Sequence, residues 1–397
     1  LSWASNTAST SIDGLSDALV ETNSLYLGND PSSTTDDANY NLAVGITALD
    51  AVTTGDYNLG IGHDALTDNT TGESNIAHGF RSLYNNTSGD RNIALGTSSL
   101  YQNTTGNFNV ALGYQSLTAN TTASSNTALG YMSLTTNSTG TFNVAVGRDA
   151  LVYNTTGSNN TAVGYHSLVD NTTGIRNIAI GNNAYDDADT ENDNLAIGYE
   201  ALGGAIAGGE YNVAIGNYSL DANTSGDYNV GVGYQTLSSN TTGATNTAVG
   251  YNALTSNTTG SNNTASGVSA LANTTTGQEN TATGALVLAV NSTGGYNTGS
   301  GGSALFSNTT GNYNTASGAR ALMNNTTGSS NAAFGFNSLL SNTTGARNLA
   351  IGYNAYYNAD TEDDNLAIGY HALGGSINGG EQNIAIGNYS LDANTTG

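Results

Sequence analysis

The chain contains no cysteine and no lysine, and its single proline is Pro31. Without cysteine, neither disulfides nor thiolate metal sites can hold it together. The only fixed cations are Arg81, Arg91, Arg148, Arg176, Arg320 and Arg347, set against 30 acidic residues, for a formal net charge of −24. Phosphate binding needs clustered Lys or Arg, so nucleic acid is not an expected partner. Acidic repulsion favours solubility and makes divalent cations natural company. Charged residues are nevertheless only 9 % of the chain, which separates it from charge-rich disordered sequences. No apolar run approaches membrane-spanning length, so no membrane insertion is expected. The chain opens at Leu1 with neither Met nor a signal peptide, as expected of a processed or partial chain.

What is abundant is order. The motif Asn-x-small-x-Gly occurs in 21 copies, from Asn41 to Asn383, every step being 17 residues except two of 18, after Asn194 and Asn365. Counting from the motif asparagine, position 1 is always Asn, position 3 Ala or Gly, and position 5 Gly. Position 9 is Leu in 19 copies and Tyr (Tyr185, Tyr356) in two. Positions 12 to 15 usually read Asn-Thr-Thr-Gly. Above this lies a longer period. Residues 174–226 and 345–397 match closely at an offset of 171, or ten coils, which points to duplication of a ten-coil block. The division expected is a lead-in or docking segment over 1–40 and a repeat array over 41–397.

A 17-residue unit is too short for two helices, and Gly, Asn and Thr at this density disfavour helix. The pattern predicts an all-β fold, a parallel β-solenoid or β-roll of about 21 coils. Positions 2–4 form a short strand, the position-5 glycine turns a positive-φ corner, and Asn-Thr-Thr-Gly makes a second turn. At ~4.8 Å per coil the stack would extend on the order of 100 Å. The motif asparagines are expected to stack into an amide ladder.

Positions 3 and 9 barely vary and are assigned to the interior. Positions 2 and 4 point the opposite way along the strand and are mostly apolar, as in Ile178 with Ile180, Leu195 with Ile197, Val213 with Ile215, and Leu349 with Ile351. In the coils starting at Asn263, Asn280, Asn297 and Asn314 they turn polar, as in Thr264 with Ser266 and Thr281 with Thr283. A dry interior should not accept consecutive Thr and Ser coils without partners. A face lying against other copies of the chain could accept them, with hydroxyls bonding across the axis or to trapped water, so the expectation is such an interface, the alternative a second interior row.

These repeats, NVALG at 109–113 and NIAIG at 177–181, resemble the β-roll repeats of trimeric autotransporter adhesin heads. The longer unit NTAVGYHSLVDNTTG at 160–174 is similar to tail-fibre-type repeat proteins of phages and some bacterial surfaces, and LSDALVETNSLYLGN at 15–29 resembles the lead-in to such arrays. The likeness covers 15–397. It implies an exported homotrimer of left-handed parallel β-rolls, often with a carboxy-terminal self-cleaving chaperone domain. These 397 residues depart from that pattern in containing no such domain, membrane anchor or coiled-coil stalk.

Three sets of residues invite a chemical reading. Asp187, Asp189, Glu191 and Asp193, with Asp360, Glu362 and Asp364 in the equivalent coil, offer oxygen ligands suited to calcium, although without EF-hand spacing; acidic loops are also commonly just solvated. Asn-x-Ser/Thr sequons recur at position 12, including Asn69, Asn103, Asn154, Asn240, Asn308 and Asn342, and such asparagines can accept N-glycans. Turn chemistry alone also explains them. Tyrosines at position 6 (Tyr114, Tyr131, Tyr165, Tyr199, Tyr234, Tyr251, Tyr353, Tyr370) line one edge, to stack sugars or simply to cover the corner. His63, His78, His166 and His371 are scattered, with no catalytic constellation.

The expected function is therefore non-catalytic. First comes a structural subunit of a fibre or filament, extracellular, on a cell surface or virion, trimeric or joined head to tail, since the last coil stops mid-turn and would leave an open sheet edge. Second comes an adhesin-type module for glycans or surfaces. Third comes ice binding through the threonines at positions 13 and 14.

Overall fold

A computed structural model describes residues 18–21, 23–28, 37–204, 208–375 and 379–393. They fall into two compact units that divide between Asp193 and Asn194, and the same coil builds both. Trp3, Pro31 and the extra residues of the two long coils (205–207 and 376–378) lie outside the described residues.

Two short strands open the first unit. β1 (Ala18–Glu21) pairs antiparallel with β2 (Ser24–Leu27), and β2 pairs in parallel with the strand Leu42–Val44. The repeat geometry thus begins one coil before the first Asn motif. Ser24 stands in the asparagine's place, its Oγ accepting the Asn41 N–H at 3.0 Å, and Tyr26 fills the interior place of Ala. Part of the expected docking segment is therefore used inside the chain's own sheet, and residues 1–17 lie outside the described residues.

Three-residue strands follow at each repeat, up to Ile178–Ile180 in the first unit and from Leu195–Ile197 to Ile384–Ile386 in the second. Within each unit neighbours pair in parallel and in register, as in Leu42↔Leu59 and Thr264↔Thr281. The 18-residue steps keep that register, Leu195↔Val213 and Leu366↔Ile384, so the extra residue is absorbed away from the strand. β-branched and leucine side chains at positions 2 and 4 suit the pleat, while the alanine between them and the leucine at position 9 are fully buried in coil after coil. A core of Ala and Leu is thin. Small alanines let the coil walls approach, and the leucine of one coil reaches the strand of the next, Leu49 Cγ lying 3.5 Å from where a Cβ on Gly60 would stand.

The corners hold what the residue types do not announce. Gly113 has φ 136°, a value for glycine alone, as expected at position 5. Three further positions per coil also have positive φ, without glycine: in one coil Gln115 (53°) at position 7, Leu117 (55°) at position 9 and Ser125 (62°) at position 17. Each such residue costs roughly 1–2 kcal/mol. The return is hydrogen bonding along the stack. The N–H groups of Gln115 and Ser125 donate to the previous coil (Thr97 and Asn107 carbonyls, 3.0 and 2.9 Å), and that of Leu117 donates to the next (Ser133 carbonyl, 3.0 Å). The left-handed conformation aims each N–H at a neighbouring coil instead of into the core.

Candidate interaction faces

Two asparagine ladders run inside the coils. At position 1, the Oδ1 of one asparagine accepts the backbone N–H of the next, Asn58 to Asn41 at 2.8 Å, while its Nδ2 donates to its own coil's position-15 carbonyl, Asn41 to Gly55 at 2.8 Å. The expected amide ladder exists, with the backbone supplying most of its rungs. A second ladder at position 12 is side chain to side chain: Asn86 Nδ2 donates to Asn69 Oδ1 at 2.7 Å and to the Gly89 carbonyl at 2.9 Å.

The second ladder is made of the sequon asparagines. Asn69, Asn103, Asn154, Asn240, Asn308 and Asn342 are all fully buried. The Asn103 amide donates to Asn86 Oδ1 (2.7 Å) and the Gly106 carbonyl (3.0 Å), and that of Asn308 donates to Asn291 Oδ1 (2.8 Å) and the Gly311 carbonyl (3.0 Å). In the folded coil, attachment of a glycan to such a nitrogen requires the coil to open. Asn273 differs: it is displaced to position 11 and its side chain is exposed, while Thr274 takes the buried place.

Position 15 is glycine in most coils, where the ladder leaves little room for a side chain; Ala123 stands there beside Asn120, and the rung from Asn137 Nδ2 to Asn120 Oδ1 is longer, at 3.2 Å. A Cβ on Gly72 would lie 2.4 Å from Asn69 Oδ1 and 2.5 Å from the Gly89 carbonyl oxygen. Glutamate occurs there in two coils, as Glu191 and Glu362, and in both position 12 is alanine (Ala188, Ala359), which removes the obstructing amide. The carboxylates turn inward and are nearly buried. Glu191 Oε2 accepts the N–H groups of Asp189 and Thr190 (3.0 and 3.1 Å), and Glu362 Oε2 those of Asp360 and Thr361 (3.0 and 3.2 Å). The tyrosine at position 9 belongs to the same exchange, the Tyr356 hydroxyl accepting from Asn365 Nδ2 at 2.9 Å. Burial, reinforced by Glu362, raises the Tyr356 phenol well above its ordinary pKa.

The other carboxylates of these coils do not converge. Asp193 takes both Nε and Nη2 of Arg176 at 2.6 Å, and Asp364 those of Arg347 at 2.7 and 2.9 Å. Asp189 and Asp360 accept from Thr172 and Thr343. Asp187 instead lines a surface groove with Asp149, Tyr153, His166 and Asp170, where burial and then Asp187 and Asp189 raise the Asp170 carboxyl. Among the described residues no group of three or more His, Asp or Glu is arranged to hold a metal ion, so the calcium expectation finds no cluster to rest on.

Positions 2 and 4 point outward from the buried alanine, half-buried or exposed in both units; the interior-row alternative is not the arrangement of either. Ile178 and Ile180 are each 38 % exposed and Ile351 39 %. Leu349, beside Ile351, is half-buried. The stripe is less open at the start of the second unit than an interface reading of the sequence suggests. Leu195, Ile197, Val213 and Ile215 are all half-buried rather than exposed. Ile215 sits in register between Ile197 on one side and Val232 on the other, but Ile351 sits likewise between Phe334 and Ile368 and is exposed, so flanking side chains do not account for the difference. Half-buried, Ile215 offers a partner less apolar surface than Ile178 or Ile351 does.

Beside the stripe, position-6 tyrosines stack between coils: Tyr114 on Tyr131 at 5.4 Å, Tyr234 on Tyr251 at 5.5 Å, Tyr353 on Tyr370 at 5.4 Å. Arg148 fills a gap in that row, its guanidinium 5.6 Å from the rings of both Tyr131 and Tyr165. A second aromatic row at position 17 was not anticipated, and includes Tyr40 on Tyr57 and Tyr211 on Tyr228 at 4.8 and 5.0 Å. Aromatics 17 residues apart are its signal in the sequence.

Among the described residues no helix is long and apolar enough to cross a membrane. Compared with protein-family models and with curated proteins, the chain matches none of them.

Proposed function

We propose that the chain is a non-catalytic structural subunit of an extracellular fibre or filament, whose copies associate through the apolar coils of the strand face. The observation that carries this reading is the outward stripe of Val, Ile and Leu at positions 2 and 4, in register from coil to coil. A repeated apolar stripe on a rigid sheet is an aggregation liability unless something covers it, and an identical stripe on a second copy is self-complementary. The resemblance of NVALG and NIAIG to trimeric autotransporter head and tail-fibre-type repeats supports the same reading and favours a homotrimer on a cell surface or virion. Calcium is left out of the proposal because the acidic coils use their carboxylates on arginine, threonine and backbone N–H groups.

A second reading, adhesion to glycans, draws on the exposed tyrosine stacks at position 6, which present aromatic faces to solvent. Electron microscopy of the full chain, with and without Ile178→Asp and Ile351→Asp, tests the first reading. Multi-chain rods that the variants disperse are expected; single separate chains throughout would refute it. Glycan-array binding lost on Tyr114→Ala and Tyr131→Ala would favour the second reading instead.

A further inference from the structure

Within the second unit the apolar stripe is interrupted by hydroxyls. Position 2 is threonine in five successive strands (Thr247, Thr264, Thr281, Thr298, Thr315), and position 4 is Ser266, Thr283, Ser300 and Ser317 in the last four. The strands pair in parallel and in register, so these residues form two straight ranks. The side chains point outward, exposed in the strands Thr264–Ser266, Thr281–Thr283 and Thr298–Ser300. Among the described residues their hydroxyls make no hydrogen bond to protein. The threonines at position 13 behave differently: Thr258 Oγ1 donates to the Thr275 carbonyl at 3.0 Å and Thr275 Oγ1 to the Ser292 carbonyl at 3.2 Å. Those hydroxyls are committed to the coil, and the ones on the strand face are not.

The same four coils change on the adjacent edge. Position 6 runs Tyr251, Val268, Ala285, Gly302, Ala319, Phe336, so the aromatic rim drops out where the hydroxyls begin and returns where they end. A Cβ on Gly302 would meet nothing within 4 Å. Positions 2, 4 and 6 of these coils carry no charge. Tyr296 and Tyr313, stacked at 5.0 Å, bound the opposite side.

The result is an uncharged plane of hydroxyl and methyl groups on a fixed grid, ~4.8 Å between coils and about 6.6–6.8 Å between residues two apart on a strand. A flexible solute has no use for two-dimensional periodicity. A crystal does, and hexagonal ice repeats its surface oxygens at comparable intervals. Crystalline polysaccharide would be held by aromatic faces and a mineral by charge, and positions 2, 4 and 6 of these coils carry neither; Tyr296, Tyr313, Glu279 and Arg320 lie at the margins. A second copy packed over these coils would have to pair each hydroxyl across the seam or through trapped water, whereas Val, Ile and Leu need only contact, so these coils are the part of the face least suited to self-association. We propose that the hydroxyl plane from Thr264–Ser266 to Thr315–Ser317 is an ice-binding face.

The inference does not rest on the fibre reading, and oligomeric state measured in parallel keeps the two outcomes separate. The test is ice-affinity partition and thermal hysteresis of the full chain. The unaltered chain is expected to enter ice and to show hysteresis. Thr281→Tyr with Thr298→Tyr should abolish both, with an unchanged circular dichroism spectrum, while Thr105→Tyr with Thr139→Tyr, exposed at position 14, should not. Should the tyrosine pair disturb folding, Ser300→Lys, whose side chain projects into solvent, must give the same loss. No partition of the unaltered chain, or partition indifferent to the patch variants, overturns the proposal. So does binding to crystalline cellulose or chitin that the patch variants abolish while ice partition is absent.

Discussion

Thr274 occupies the buried place that neighbouring coils give to asparagine, and the Oδ1 of Asn257, one coil before it, has no hydrogen-bond donor. Asn171 Oδ1 and Asn342 Oδ1 are left likewise, each next to a coil whose position 12 is alanine. An orphaned buried acceptor costs roughly 1–3 kcal/mol. Thr274→Asn is therefore expected to stabilise the second unit by about 1 kcal/mol, since it supplies Asn257 with a donor and replaces the 3.4 Å contact between Asn291 and Thr274 Oγ1 with a normal rung. Urea and thermal midpoints would show the gain. A loss would mean that the place is shaped for threonine.

The left-handed corners make a second prediction. Thr245 is β-branched, exposed and held at φ 60°. Glycine adopts that conformation without steric cost, so Thr245→Gly should raise stability by about 1 kcal/mol despite the greater freedom it gives the unfolded chain. Thermal unfolding beside Thr242→Gly, a substitution at exposed position 14, separates conformational relief from a general effect of glycine.

Glu362 is expected to act as an internal cap rather than as a solvated acid. Its Oε2 accepts two backbone N–H groups and its Oε1 accepts that of Gly379 at 3.2 Å. Hydrogen bonds to a charged group contribute about 1.5–3 kcal/mol, so Glu362→Ala should cost about that much, with Glu362→Gln costing less because one acceptor oxygen remains. Equal stability of both variants and the parent, by denaturant unfolding, would place the side chain in solvent.

The arginine pairs predict a pH signature. Hydrogen bonds from Arg176 and Arg347 hold Asp193 and Asp364 below the ordinary carboxylate pKa. A depressed folded pKa contributes stability that is fully present above the unfolded value of about 3.9 and lost as pH falls through the folded value. Arg176→Gln with Arg347→Gln should therefore lower the unfolding midpoint equally at pH 7 and 5, and the difference from the parent should shrink below about pH 4. Because the pairs are exposed, added salt should shrink it as well. A difference independent of pH would assign the arginines a packing role.

The coil was legible in the sequence because its interior admits so few residue types. Ala and Leu at positions 3 and 9 and Gly at position 5 repeat too strictly for any other period to compete. Three of the four positive-φ corners were not legible, since Gln115, Leu117 and Ser125 carry no sign of their backbone; the stacking hydrogen bonds impose it. Nor was the unevenness of the strand face, where Ile178 and Ile215 share a residue type and a stripe but not an exposure. The position-12 asparagines were legible in part, for their bonds to the position-15 carbonyls are the turn chemistry that Asn-Thr-Thr-Gly announces. Asn-Thr-Thr-Gly has the composition of a turn and the form of a sequon, and only the register of adjacent coils reveals an internal ladder. Glu191 and Glu362 read as members of acidic loops, yet the joint exchange of Asn for Ala and Gly for Glu in the same two coils was visible and marks side chains that share one space.

Copies of the chain are proposed to meet at the outward stripe of positions 2 and 4. Sedimentation equilibrium of the full chain tests it most directly, comparing the parent with Ile178→Asp, Ile180→Asp, Leu349→Asp and Ile351→Asp combined. These side chains point away from the core, so the coil should survive, as circular dichroism would confirm. Expected are a discrete oligomer for the parent, a trimer if the family likeness holds, and a monomer for the variant. A parent that sediments as a monomer, or an oligomer untouched by four carboxylates on the stripe, would contradict the proposal.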